Sequence, residues 1–314
     1  MRVVINSENV ILDEIQVTVS INEVTRQFTL KDISSTQKYF KGDIVEIYDD
    51  KDVLIIEAEI EYISAIGSKE ESVFVYAGRN NAKFLVDSYA DKTIQITENQ
   101  NVNSVIKNIV SKYGLTISGD AKLPKDEIKT ILIGDNIGMA ILEIVHSAGK
   151  IITSDAKGNL LIEFEAQEST GKELEYGINI RERNYINNST NVYDKYVVVS
   201  QSNYLIKQEQ EVNIQGIYGD GNRAKVMLSK HTLTEEECRK LAEIEYKKDV
   251  RKSIEYSVIV DDADLELNKK YSIKDDAIGL DEEMNLKAIE ITMSSDTKEV
   301  RAFFERVVWL GLEL

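Results

Sequence analysis

Apolar residues recur with a period of about two at both ends of the chain and about 3.6 in its middle. That double switch constrains the fold more than any other feature. Ile15, Val17 and Val19 alternate with polar residues, as do Arg26-Gln27-Phe28-Thr29-Leu30. Ile44 to Tyr48 runs into the turn Asp49-Asp50-Lys51-Asp52, and runs from Val53 to Ile63 and from Val73 to Ala77 follow. Short strands with no helix between them predict a small barrel or sandwich.

From 80 to 165 the period lengthens. Val102, Ile106, Ile109, Val110 and Tyr113 share one helical face, and Gly114 stands where a helix end wants a left-handed residue. A second helix has Asp135 or Asn136 as its cap, an apolar stripe of Ile137, Ala140, Ile141, Ile144 and Val145, and Gly149 after its end. A hairpin follows, Ile151 to Ser154 and Leu160 to Phe164, turned by Asp155-Ala156-Lys157-Gly158-Asn159. Strands return from about 170. Tyr196 to Val199 reads as a buried strand, 201–212 as a polar loop, and Gly219-Asp220-Gly221-Asn222 as a turn before Ala224 to Leu228. Thr234-Glu235-Glu236-Glu237 is a capping box opening a helix to about Lys248. Strands at Ile254–Val260, Leu286–Met293 and Val300–Val308 complete the chain, the last two joined by a turn at 294–297.

The 314 residues suit two or three domains, and 42% hydrophobic residues suffice for real cores. The net charge of −17 disfavours binding to nucleic-acid phosphates. Cys238 is the single cysteine, so no internal disulfide forms. Met1 to Asn6 turns polar too early for a secretion signal, and no apolar run reaches the roughly 18 residues of a membrane span.

Three stretches resemble the Mu-type phage tail protein P, the baseplate hub family of contractile tails. The first is Gly78-Arg79-Asn80-Asn81-Ala82-Lys83-Phe84-Leu85-Val86-Asp87-Ser88, with Asn80 where the family carries serine. The second runs from Ile133-Gly134-Asp135-Asn136 through the second helix to Ala148-Gly149 and Asp155 to Leu160. The third joins Asn179-Ile180-Arg181-Glu182-Arg183 to Tyr193–Gln201; Ala242-Glu243 and Gly279-Leu280-Asp281 follow in the family's order. The resemblance implies a mainly β fold with an α+β insert. A tube-type β-barrel at 1–90 and a second at 169–314, with a helical insertion near 234–250, flank a small helix–helix–hairpin domain at 91–168. It also implies a structural hub and not an enzyme. In that role a homotrimer joins a sixfold tail tube or tube-initiator protein to a threefold central spike, beside other baseplate proteins and the tape-measure protein. Such a chain is made in the bacterial cytoplasm, assembled into a virion or headless bacteriocin baseplate, and released by lysis.

No catalytic, cofactor-binding or metal-binding residue is expected. In the first stretch Gly78 is expected to permit a tight bend and Asp87 to satisfy Arg79 or local backbone. His146 and His231 lack a ligand at metal spacing, and His146 is expected to favour a helix dipole. Cys238 lacks a visible base and reads as a core residue. The carboxylates Asp261, Asp262, Asp264, Asp275, Asp276, Asp281, Glu282 and Glu283 invite calcium or glycosidase readings, but 55 acidic residues make clusters commonplace. Asp155 to Asn159 reads as hairpin geometry. Residues 95–116, ending in Tyr113-Gly114, carry the alternative reading, a LysM-like peptidoglycan-binding module without its Gly-Asp-Thr start. Part of the acidic excess is expected to face the lumen of the hub.

Overall fold

The computed structural model describes the chain except for residues 22, 69, 98–101, 124–127, 166–167, 201–213, 230–232, 262–263, 296 and 308–314. Pro124, His231, Asp262 and the expected loop at 201–212 therefore lie outside the described residues.

The first stretch forms β1 (Arg2–Ile5), β2 (Glu8–Val10), β3 (Glu14–Ser20), β4 (Gln27–Ser34), β5 (Ile44–Tyr48), β6 (Leu54–Glu59), β7 (Tyr62–Gly67) and β8 (Ser72–Arg79). The run expected from Val53 to Ile63 is thus two strands. The chain leaves one sheet at Glu59 and enters another at Tyr62. Between them the Ile60 N–H donates to the Asp43 carbonyl at 2.9 Å and the Glu61 N–H to the Ala77 carbonyl at 2.9 Å. Period-two alternation continues through such a step, so periodicity alone does not mark it.

The middle stretch forms α1 (Lys83–Val86), β9 (Ile94–Thr97), α2 (Val102–Val110), β10 (Ile117–Ser118), β11 (Ile128–Ile131), α3 (Ile137–Ser147), β12 (Lys150–Ser154) and β13 (Leu160–Phe164). Asn136 is the cap of α3, its side chain accepting from the Met139 N–H at 3.0 Å. Gly114 is left-handed, with φ +72°, and closes the turn after α2. The stripes of α2 and α3 meet in one core with Leu85, Ile152 and Leu160.

The last stretch forms β14 (Ser169–Glu175), β15 (Ile180–Asn187), β16 (Lys195–Val199), β17 (Gln215–Gly219), β18 (Ala224–Leu228), α4 (Glu235–Lys252), β19 (Ile254–Val260), β20 (Lys270–Asp275), β21 (Leu280–Ser294) and β22 (Lys298–Arg306). The capping box on Thr234 and Glu237 is formed, and α4 runs one turn beyond the expected Lys248. The turn at 219–222 joins strands that do not pair with each other. β16 lies between them, antiparallel to β17 and parallel to β18. The turn wraps over the start of β16, and a Cβ on Gly221 would lie 2.0 Å from Asp194 Cβ.

One large sheet crosses the molecule in the order β15-β19-β22-β21-β3-β4-β8-β7. β21 makes the crossing, pairing with β22 on one side and β3 on the other. Two cores lie on the same face of this sheet. Val17, Phe28, Leu30 and Tyr76 pack beneath β1, β5 and β6. Tyr256, Val258, Ala302 and Phe304 pack beneath β14 and β20. Each large side chain fully buried there contributes roughly 1.5–3 kcal/mol. The mainly β fold with a small α+β insert agrees with the expected class.

Candidate functional site

The register determines what the other face of the large sheet presents. Val17, facing the first core, lies opposite Phe28 and Ile291, and Ile291 lies opposite Val300. The alternate positions Gln16, Thr18, Thr29, Glu290 and Thr292 therefore share the opposite face. These residues are half-buried. One end of the face is covered: Glu305, opposite Glu255, and Ile259, opposite Arg301, are buried, and Arg251 of α4 lies 3.6 Å from Glu305. The face carries the carboxylates Glu14, Glu182, Glu255, Glu290, Glu299 and Glu305 against Lys31, Arg79 and Arg301. Lys31 is engaged by Glu14 at 2.6 Å and Arg301 by Glu299 at 3.5 Å. The result is an acid-leaning surface over β3, β4 and β21, bounded by apolar residues, Ile33, Val73 and Val75 on one side and Ile259 and Phe303 on the other.

Arg79 belongs instead to a junction between the first core and the insert. Its guanidinium donates to Glu61 (3.0 and 3.1 Å) and to both Asp87 oxygens (3.0 and 2.8 Å). Asp87 and Glu61 together hold its pKa above the ordinary arginine value. Lys83, nearly buried, pairs with Glu59 at 3.0 Å. Gly78 makes no bend; it lies inside β8, where a Cβ would come 2.0 Å from the Glu59 carbonyl oxygen and 2.8 Å from the Phe28 ring. Close approach, not turn geometry, requires glycine there. Asn80 is buried and donates to Ser154 Oγ and the Asp155 carbonyl, each at 3.0 Å. Arg26 donates to the carbonyls of Ser154 (2.9 Å) and Ile55 (2.7 Å), and burial pushes its pKa down. The β12–β13 hairpin is thereby held against β6, where the Glu57 N–H donates to the Ala156 carbonyl. No motif marked Arg26 as part of this junction.

The other candidate residues are dispersed. His146 ends α3, but burial, aided by Lys248 and Arg251, lowers its pKa to about 4. It is neutral at pH 7 and lends no charge to the helix dipole, which corrects the expected role. Cys238 is buried beneath β16, and burial raises its thiol pKa. Asp155 accepts from the N–H groups of Lys157 and Asn159 and from the Asn159 side chain, each at 2.9 Å, as hairpin geometry requires. Asp275 is buried against Arg183 and accepts from the Tyr256 hydroxyl at 2.9 Å. Asp261 pairs with Arg181, Asp264 with Lys51, and Glu282 with Arg306. Among the described residues no group of three His, Cys, Asp or Glu residues converges to hold a metal. No described helix is long and apolar enough to cross a membrane.

β9, which opens the 95–116 segment, pairs with β11 outside it, and β10, which follows the segment, pairs with β13. The apolar face of α2 is spent on the shared core. A cleft of about 200 Å³ beside Tyr89, Asp91, Lys112 and Tyr113 is smaller than the roughly 300 Å³ at which small-molecule pockets begin.

No protein-family model matches the chain, and no curated protein matches it by sequence. Solved structures do match. The 43 kDa tail protein of prophage MuSo2 from Shewanella oneidensis superposes with a TM-score of 0.82 at 17% identity, covering 97% of this chain and 97% of that one. A tail protein from Neisseria meningitidis MC58 gives 0.79 at 15% identity, covering 98% of each chain. The E. coli c3393 protein is a type VI secretion component with structural similarity to the T4 bacteriophage tail proteins gp27 and gp5. It gives 0.58 at 9% identity, over 99% of this chain and 78% of that one. The chain has the fold of these tail and secretion-system proteins.

Proposed function

We propose that this chain is the hub of a phage-type baseplate, a structural subunit without catalytic activity that works as a homotrimeric ring. The observation that carries the reading is the single sheet whose two cores lie on one face and whose other face, covered at one end by α4, leans acidic over its β3, β4 and β21 strands. A surface of that kind suits the wall of a channel. Its carboxylates repel passing polyanions instead of gripping them. Two side-by-side cores per subunit give a trimer six similar units around its axis, which matches a sixfold tube or tube initiator above to a threefold spike below. Other baseplate proteins and the tape-measure protein are further partners on this reading, in a virion tail or a headless tail-like particle assembled in the bacterial cytoplasm and released by lysis.

The test is the solution mass by light scattering, with negative-stain images of the same peak. The expected result is three times the 35.6 kDa of one chain and a threefold ring with a central hole. A chain that stays monomeric alone and with co-expressed spike and tube proteins overturns the reading.

A further inference from the structure

The β12–β13 hairpin ties the insert to the rest of the chain at both of its ends. At its turn, Arg26 and Asn80 donate to the hydroxyl and carbonyl of Ser154 and the carbonyl of Asp155, acceptors that do not titrate. At its open end α3, β13, α4 and β22 meet. Arg251, in the last turn of α4, pairs with Glu165, just past β13, at 2.6 Å and with Glu305 of β22 at 3.6 Å. None of these three side chains is more than 24% exposed. Asn268 adds a bond to the Phe164 carbonyl at 2.9 Å. His146 belongs to the same joint. It lies in the last turn of α3, and Lys150, four residues on, pairs with Phe164, the neighbour of Glu165. The charges of Lys248 and Arg251 reach it from α4.

The carboxylates of this joint already have cations. Arg251 engages Glu165 and Glu305, Lys287 and Lys252 also stand near Glu305, and Lys248 pairs with Glu245 at 2.8 Å. On the insert side Glu143, one turn before His146, is exposed, Glu163 is bonded by Asn268 at 3.4 Å, and the Lys150 ammonium lies 3.6 Å over the Phe164 ring. With a neutral imidazole the joint is an attraction between guanidinium and carboxylate. An imidazolium sets a third positive charge against Lys248 and Arg251 in a site partly closed to water, where like charges repel strongly. We propose that the joint is an acid-sensitive latch: proton uptake at His146 releases the end of the insert from α4, and the insert then pivots on its Arg26 and Asn80 contacts with the first core. The latch is a property of one chain and does not depend on the ring. Its sign follows from linkage. In the closed joint the imidazole titrates near 4, and once released it returns to about 6.5. The contribution of His146 to closure is therefore complete above about pH 6.5 and is lost as the pH falls toward 4. Glu305, raised by burial, acts with the opposite sign, so the latch is read as the difference between wild type and a neutral variant at 146.

The experiment is hydrogen exchange of the full chain at about pH 7.5 and about pH 5.5, corrected for intrinsic rates and read by mass spectrometry, on wild type and His146→Gln. The expected result is that acid lowers the protection of 143–149 and 246–253 about tenfold more in wild type than in His146→Gln, while β4 keeps its protection in both. Glu165→Gln, which removes the carboxylate that holds Arg251, is expected to lower the protection of the same two segments already at the higher pH. Equal losses in wild type and His146→Gln overturn the latch. So does a loss spread evenly into β4, because the whole chain then unfolds and no joint is released. A reading that needs no variant at 146 comes from proton NMR of the imidazoles, since the chain has only two histidines and His231→Gln assigns them. His146 is expected to titrate near 4; titration near the ordinary 6.5 overturns the latch even if His146→Gln does not fold.

Discussion

At Gly78 the missing side chain lets β6 and the Phe28 ring close over β8. Gly78→Ala is therefore expected to destabilise the chain by about 1–3 kcal/mol, measured by urea denaturation, as overpacking does in a close-packed core. Asp275 lies in a different environment, buried against the Arg183 guanidinium and the Tyr256 hydroxyl. Asp275→Ala leaves that guanidinium without its carboxylate, and the expected loss is roughly 3 kcal/mol in the same measurement. His146 supplies the pH dependence. Its folded pKa of about 4 lies below the ordinary 6.5, so between these values the unfolded chain binds the proton and the folded one does not. Its contribution is complete above about pH 6.5 and is lost as the pH falls toward 4, by up to about 3 kcal/mol. His146→Gln is expected to flatten stability against pH in that window. Asp50, held near 2 by Lys298 and the N-terminal ammonium, titrates below the window. Glu305, pushed above the ordinary 4.5 by burial, titrates inside it with the opposite sign, so the readout is the difference in slope between wild type and His146→Gln.

At the scale of elements, α4 shows how a helix and a sheet select each other's residues. Its mean character is polar and highly charged, yet Cys238 and Ala242 bury against Tyr196 and Val198. The helix backbone comes so close to β17 that a Cβ on Gly216 would lie 2.0 Å from the Arg239 nitrogen. Two substitutions should separate end effects from seating. Thr234→Ala removes the capping box and is expected to cost about 1 kcal/mol. Gly216→Ala pushes the helix off its sheet and is expected to lower the thermal midpoint further than Thr234→Ala does. The capping box was legible because it is local. The seating was not, since Gly216 and Arg239 are joined only by packing.

For the whole molecule the decisive element is β21. Its first half belongs to the second core, and its second half supplies the strand that β3 pairs with. A fragment ending at residue 168 leaves that side of β3 open. Such a fragment is expected to aggregate when produced alone and to become soluble on co-expression with 169–314, as read by sedimentation of the two pools.

The sequence by itself determined the element types, because period, caps and turns act over a few residues: α2, α3, the β12–β13 hairpin and the capping box of α4 lie where their residues say. It also carried, through the stretch from Gly78 to Ser88, the resemblance to the tail fold. Only the tertiary structure decided that Val53 to Ile63 changes sheets, that β16 separates β17 from β18, and that one sheet passes through β21 and β3 to place both cores on a single face. Those are questions of which strand lies beside which. Alternation tells a strand that it has two faces, but pairing between residues such as Val17 and Ile291, far apart in the chain, decides which face meets the core and which does not.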